Sequence, residues 1–112
     1  MQPMHVLLLG PDGAGRSHLE ETLTRLGCVV MSADPALGRV PAGAGDVVVA
    51  DLRGDGAGWS ELAERLRRDP RPLVMVADRP RRLVRTLSGR AAGTLVMTGA
   101  ESDAGYRVAL SV

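Results

Sequence analysis

The chain has 112 residues, of which 45% are hydrophobic and 24% charged, and its formal net charge is +1. That length confines it to a single domain over residues 1–112, large enough to bury about two-thirds of its unfolded surface, and so small a net charge argues against bulk attraction to nucleic acid or an anionic membrane. No apolar run approaches the ~20 residues of a membrane span, Met4–Leu9 lacks the basic flank of a signal peptide, and one cysteine makes no internal disulfide framework.

Five short runs rich in Val and Leu follow one another along the chain: His5–Leu9, Cys28–Ser32, Asp46–Leu52, Leu73–Ala77 and Thr94–Thr98. Each is almost continuously apolar rather than alternating, the pattern of strands buried on both faces of a parallel sheet. Helix signals fill the gaps. Ser17 and Glu20 have capping-box spacing, Leu19, Leu23 and Leu26 repeat at helical period, and Gly27 stops the run. Ser60 stands as the cap of a helix with Leu62, Ala63 and Leu66 inward, ending before Pro70. Pro80 opens a further helix carrying Leu83, Val84 and Leu87, and Asp103–Val112 reads as a last one through Tyr106, Ala109 and Leu110. Between the second and third strands, Asp34–Gly45 is too rich in proline and glycine for a full helix, so the second helix is expected to be short or missing. The alternation predicts a three-layer α/β domain. Cys28, beside Val29 and Val30, suits a reducing compartment, hence the cytoplasm.

Two stretches carry chemistry. After the first strand comes Gly10-Pro-Asp-Gly13-Ala-Gly15-Arg16-Ser17, which has P-loop spacing with arginine in the lysine position. Glycines there let backbone N–H groups close on phosphate oxygens at a helix N-terminus. In that reading the chain is a small nucleotide-binding protein, and Asp51 is the metal-holding acid. A guanidinium is not a like-for-like replacement for the compact ammonium, however, and the other reading is a glycine-permissive turn with a solvated Arg16. The second stretch is Asp46-Val-Val-Val-Ala-Asp51-Leu52-Arg53, which places an acid directly after a buried parallel strand, at the edge where open α/β sheets hold their ligands.

Asp51 at a strand end, the Gly-rich segment Arg53–Gly58, a helix starting near Trp59, the segment Leu23–Val30 and the segment Arg71–Ala77 together resemble the receiver domain of bacterial response regulators. The likeness runs from about His5 to Leu110. It implies a flavodoxin-like (βα)5 fold with strand order 2-1-3-4-5. It also implies phosphorylation of the acid at Asp51 by a partner histidine kinase, with magnesium held nearby. The family's pattern is broken at its chemical positions. Where an acid pair should follow Leu9 the chain has Gly10 and Pro11, with Asp12 alone nearby; the hydroxyl position is Ala77 and the lysine position is Met97. Arg79 and Thr98 are close in sequence to the vacant positions. A phosphoryl group without metal or lysine loses several charge-assisted hydrogen bonds of about 1.5–3 kcal/mol each. Asp12 and Asp51 are at best a weak magnesium site, and no cofactor is expected. The resemblance therefore reads as a degenerate receiver that is not an enzyme, the alternative being one still phosphorylated on Asp51.

All 14 basic side chains are arginines, five of them within Asp78–Arg90, and residues 59–112 carry 10 Arg against 6 acids. The plain reading is the solvated face of an amphipathic helix. In the receiver resemblance, the fourth helix, fifth strand and fifth helix form the face that dimerises or meets an effector. There Arg81, Arg82, Arg85, Arg90 and Tyr106 become a partner surface. Direct nucleic-acid binding by this domain is not expected, because no stacking aromatics interleave the arginines. The chain is expected to continue past Val112 into an output domain, a DNA-binding one in a transcription regulator. His5 and His18 lack companions at ligand spacing, and Cys28 has no basic neighbour to activate it.

Overall fold

The apolar runs become strands because β-branched residues pack on a pleated surface, and the central runs are covered on both faces. A computed structural model describes residues 3–10, 13–33, 45–53, 59–77, 94–97, 105–106 and 110. In chain order the elements are β1 (His5–Leu9), α1 (Ala14–Arg25), β2 (Val29–Ala33), β3 (Val47–Asp51), α2 (Trp59–Arg68), β4 (Leu73–Val76) and β5 (Thr94–Met97). Strand ends differ from the expected ones by a residue or so, within the fraying common at element termini. All four strand pairs are parallel, and the order is β2-β1-β3-β4-β5, as the receiver resemblance implied.

Two hydrophobic clusters make the three layers. One joins Val6, Leu8, Val47, Val49, Val74, Val76 and Met97 of the sheet to Leu19 and Leu23 of α1. The other joins Leu7, Leu9, Val48, Ala50 and Met75 to Leu62 and Leu66 of α2. Truncating a fully buried leucine such as Leu8 or Leu19 to alanine removes about 2–5 kcal/mol of stability. Tyr106 and Leu110, on helical backbone, pack in the α1-side cluster.

Three expectations are corrected. The capping box does not form. Helix α1 begins at Ala14, ahead of Ser17, with Gly13 at its N-cap and no side-chain cap. Ser17 N–H already donates to Gly13 O at 3.0 Å, and the Glu20 carboxylate instead accepts from the Ser32 hydroxyl, tying α1 to β2. Ser60 likewise lies within α2 rather than before it, the helix starting one residue earlier at Trp59. Burial on both faces holds for β3 and β4, and for β1 beyond His5, but not for β2, where Val29 and Met31 are exposed, nor for β5, where Val96 is exposed. The physical reason is position: β2 and β5 are the edge strands, and an apolar sequence does not by itself bring a neighbour to each face. Helix α1 does stop where expected, with Gly27 at φ +90° and Cys28 N–H returning to Leu23 O. The expected short second helix and the helix opening at Pro80 fall outside the described residues.

Candidate functional site

In a 2-1-3-4-5 sheet the chain leaves β1 toward one side and β3 toward the other, which opens a crevice at their carboxyl ends. Backbone ladders run up to its rim. Gly10 N–H donates to Ala33 O at 3.1 Å, Leu52 N–H to Val76 O at 2.7 Å, and Ala77 N–H to Met97 O at 2.9 Å. Asp51, the last residue of β3, is 6% exposed and pairs in register with Val76, which in turn pairs with Met97.

The Asp51 carboxylate is fully engaged by Arg53. Arg53 Nε donates to Oδ1 at 2.8 Å and Nη2 to Oδ2 at 3.0 Å, while the Arg53 backbone N–H reaches Oδ1 at 3.3 Å. This is a two-pronged guanidinium–carboxylate pair closed over a turn of two residues, the strong geometry for such a bond. Its side chains are 7% exposed at Asp51 and 27% at Arg53. Two glycines make the space. A Cβ on Gly10 would stand 3.0 Å from Asp51 Cβ, and one on Gly15 would stand 3.0 Å from Arg53 Nη2 and 3.3 Å from Asp51 Oδ2.

The glycines of the P-loop-like stretch therefore have a use that needs no phosphate. Gly10 and Gly15 let the loop and the first turn of α1 close on an internal ion pair. Gly13 caps α1, and Gly15, Arg16 and Ser17 lie within the helix. Arg16 Nη1 donates back to Gly10 O at 3.1 Å, across the loop. Of the expected anion-loop residues, the structure brings Gly10 and Gly15 to Asp51, the acid that the nucleotide reading wanted for a metal. Its oxygens, however, are committed to Arg53.

Ala77 and Met97 are both buried, but they belong to different hydrophobic clusters. Met97 lies in the α1-side cluster, on the Asp51 row, and Ala77 lies in the α2-side cluster. Adjacent residues of neighbouring strands point to opposite faces when one is offset by a single position, and Ala77 is one beyond Val76. Tyr106 corrects the partner-surface expectation: it is 2% exposed and belongs to the core, because the last helix turns that side chain toward the sheet. Asp12, Arg79, Arg81, Arg82, Arg85, Arg90 and Thr98 lie outside the described residues.

The magnesium that the receiver resemblance implies does not fit these donors. Both Asp51 oxygens face Arg53, and Gly10, the first residue beyond β1, brings no carboxylate to the crevice. Among the described residues no three His, Cys, Asp or Glu side chains gather at metal-binding distance. Cys28 is half-buried, and burial pushes its thiol up from 9.0, away from nucleophilic use. Among the described residues no helix is long and apolar enough to cross a membrane.

Sequence reasoning missed Arg53 as a site residue. The signal was present as the spacing Asp51-Leu52-Arg53, which repeats at Asp69-Pro70-Arg71 with a second pair of the same form.

No family model and no curated protein matches this chain. Its fold is similar to that of a CheY-like response regulator from Mesorhizobium loti, with a TM-score of 0.68 over 98% of each chain at 19% identity. The fold, a five-stranded parallel sheet in the order 2-1-3-4-5, is thus shared between two very different sequences.

Proposed function

We propose that this chain is an atypical receiver module in signal transduction, acting through protein–protein contacts and not through aspartyl phosphorylation. The observation that carries this reading is the Asp51–Arg53 pair, in a fold whose likeness to a CheY-like response regulator spans the whole chain. A phosphoacceptor carboxylate must present a free oxygen to the phosphoryl donor, with cations to offset the charge that accumulates. Here each oxygen accepts from Arg53, and Gly10 adds no acid for a metal.

The module works as a regulatory surface, either as a homodimer or against an effector domain. The arginines of the Asp78–Arg90 segment, with the fifth strand and last helix, supply that surface, and Tyr106 is not part of it because it is buried. The output is transcriptional, through a DNA-binding domain, in the cytoplasm, and the module itself catalyses nothing.

Incubation with acetyl phosphate and magnesium, followed by intact mass measurement, tests the reading. The expected result is an unchanged mass. A labile phosphoryl adduct that disappears in Asp51→Asn would replace this proposal with a phosphorylated receiver.

A further inference from the structure

Strand β2 lies at an edge of the sheet without the devices by which natural edges refuse a further strand. Its sequence, Val29-Val-Met-Ser-Ala33, holds no charge and no proline, and its unbroken register with β1 leaves no bulge. Val29 N–H donates to Met4 O at 2.9 Å, and Ala33 O accepts from Gly10 N–H at 3.1 Å. Val29, Met31 and Ala33 therefore turn their backbone groups toward β1, and the alternating Val30 and Ser32 turn theirs to the outer edge. Among the described residues no strand lies beyond it. On the face it shares with Leu7 and Leu9, Val29 is 48% and Met31 53% exposed. From the opposite face the Glu20 carboxylate holds the Ser32 hydroxyl, which fixes the strand to α1. The other edge strand, β5, is a residue shorter, and among the described residues its one exposed large apolar side chain is Val96.

We propose that the β2 edge pairs with the β2 edge of a second copy of this chain, antiparallel about a two-fold axis at Met31, so that two sheets join into one. A second copy is the occupant because the strand is complementary to itself. With Met31 on the axis, Val30 stands opposite the partner's Ser32 and exchanges N–H···O bonds with it in both directions, and Ser32 does the same with the partner's Val30. Met31 then meets Met31 of the partner and Val29 meets the partner's Ala33, so apolar side chains adjoin and no like charges oppose along the strand. A formal net charge of +1 sets little repulsion between whole copies. The added strand lies in the plane of the sheet, so it covers the flanks of Met31 and leaves the face above it open. Such a contact is small and belongs to the transient class. This pairing goes beyond the receiver reading and needs only the strand order. It places self-association at β2 and leaves the opposite end of the sheet, with Asp78–Arg90, to an effector.

Sedimentation velocity of the full chain between about 1 µM and about 1 mM tests it, the span over which transient contacts form and part. The wild type should pass from monomer to dimer. Met31→Lys and Met31→Glu, each at an exposed position, should weaken that dimer about tenfold or more by setting like charges across the axis. An equimolar mixture of the two should associate again, because unlike charges then meet. In a Cys28→Ser background, Met31→Cys should give a disulfide-linked dimer with diamide, since its Cα atoms would stand about 4.5 Å apart across the axis. Val29→Cys is about as exposed but lies two positions off the axis, about 14 Å from its own copy, and should not cross-link. A chain that stays monomeric throughout overturns the proposal, as does a dimer indifferent to Met31→Lys, whose contact would then lie elsewhere, such as β5. Failure of the mixture to re-associate overturns the axis at Met31, and equal cross-linking of both cysteine variants reports random collision and overturns it as well. Hydrogen exchange reads the occupant. The Val30 and Ser32 amides should slow only as concentration rises; slow exchange already at about 1 µM would assign the edge to residues 34–44 of the same chain and overturn the pairing.

Discussion

The pairs Asp51–Arg53 and Asp69–Arg71 are the same local device placed at opposite ends of the sheet, one after β3 and one before β4. In each, the arginine two residues on gives its backbone N–H and Nε to Oδ1 and its Nη2 to Oδ2. The distances are 3.3, 2.8 and 3.0 Å at Asp51 and 2.9, 2.9 and 2.6 Å at Asp69. Such a turn needs only short-range geometry, which is why it recurs without any shared chemistry. The settings differ. Asp69 lies in the turn between α2 and β4, with its N–H on Leu66 O. A negative side chain there opposes the dipole at the end of α2, and Arg71 offsets it. The hydrogen bond to Asp69, more than the Coulomb attraction, pushes the Arg71 guanidinium above its ordinary value. Asp51 instead ends a strand paired on both sides, so its backbone cannot turn the acid out to water. One device is a brace, and the other fills a crevice where its class of fold holds ligands.

The largest expected effect comes from removing the arginine whose acid cannot escape. Arg53→Ala should lower unfolding free energy by about 2–3 kcal/mol, seen as a shift in urea midpoint at constant slope, because it strands a buried carboxylate. Next, Gly10→Val drives a branched side chain against Asp51 Cβ, whose distance from a Cβ at position 10 would be only 3.0 Å. Its expected cost is about 2 kcal/mol, the scale of overpacking. Arg71→Ala should cost about 1 kcal/mol by the same urea measurement, since Asp69, 13% exposed, sits in a turn rather than at the end of a paired strand. An equal loss in Arg71→Ala and Arg53→Ala would break the comparison, for it would mean that backbone freedom does not separate the two sites. Arg67→Ala supplies the baseline. Its partner Glu64 lies at 3.2 Å on the exposed side of α2, and the loss should stay below about 0.5 kcal/mol and shrink with added salt.

The sheet was legible in the sequence because β1, β3 and β4 are buried and carry almost uninterrupted Val, Leu and Met. The strand order came from the resemblance rather than from periodicity, which carries no information on which strands are neighbours. Edge status was not legible for the same reason: Val29 and Met31 look like core in sequence and face solvent in the fold. At the site, Asp51 stood out as an acid after an apolar run, and Gly10 and Gly15 stood out as a loop. That these three meet depends on β1 lying beside β3, and only the fold shows it. Arg53 was hidden by its ordinariness, one of 14 arginines, until the turn brought its fork onto Asp51. Tyr106 stood open between core and partner surface because a lone aromatic reads equally as either, and helix phase decides between them.

The edge strand β2 leaves Met31 53% exposed, while Met75 on β4 is fully buried and Met97 on β5 is 5% exposed. A mild oxidant sorts thioethers by access, and sulfoxide formation makes an apolar side chain polar. Met31 should take up oxygen in the folded chain at little structural cost, since it is already hydrated. Met75 and Met97 can react only when the sheet opens, and their sulfoxides would not fit back. Peptide mapping after brief peroxide exposure thus gives the protein its own record of how often the central strands come apart.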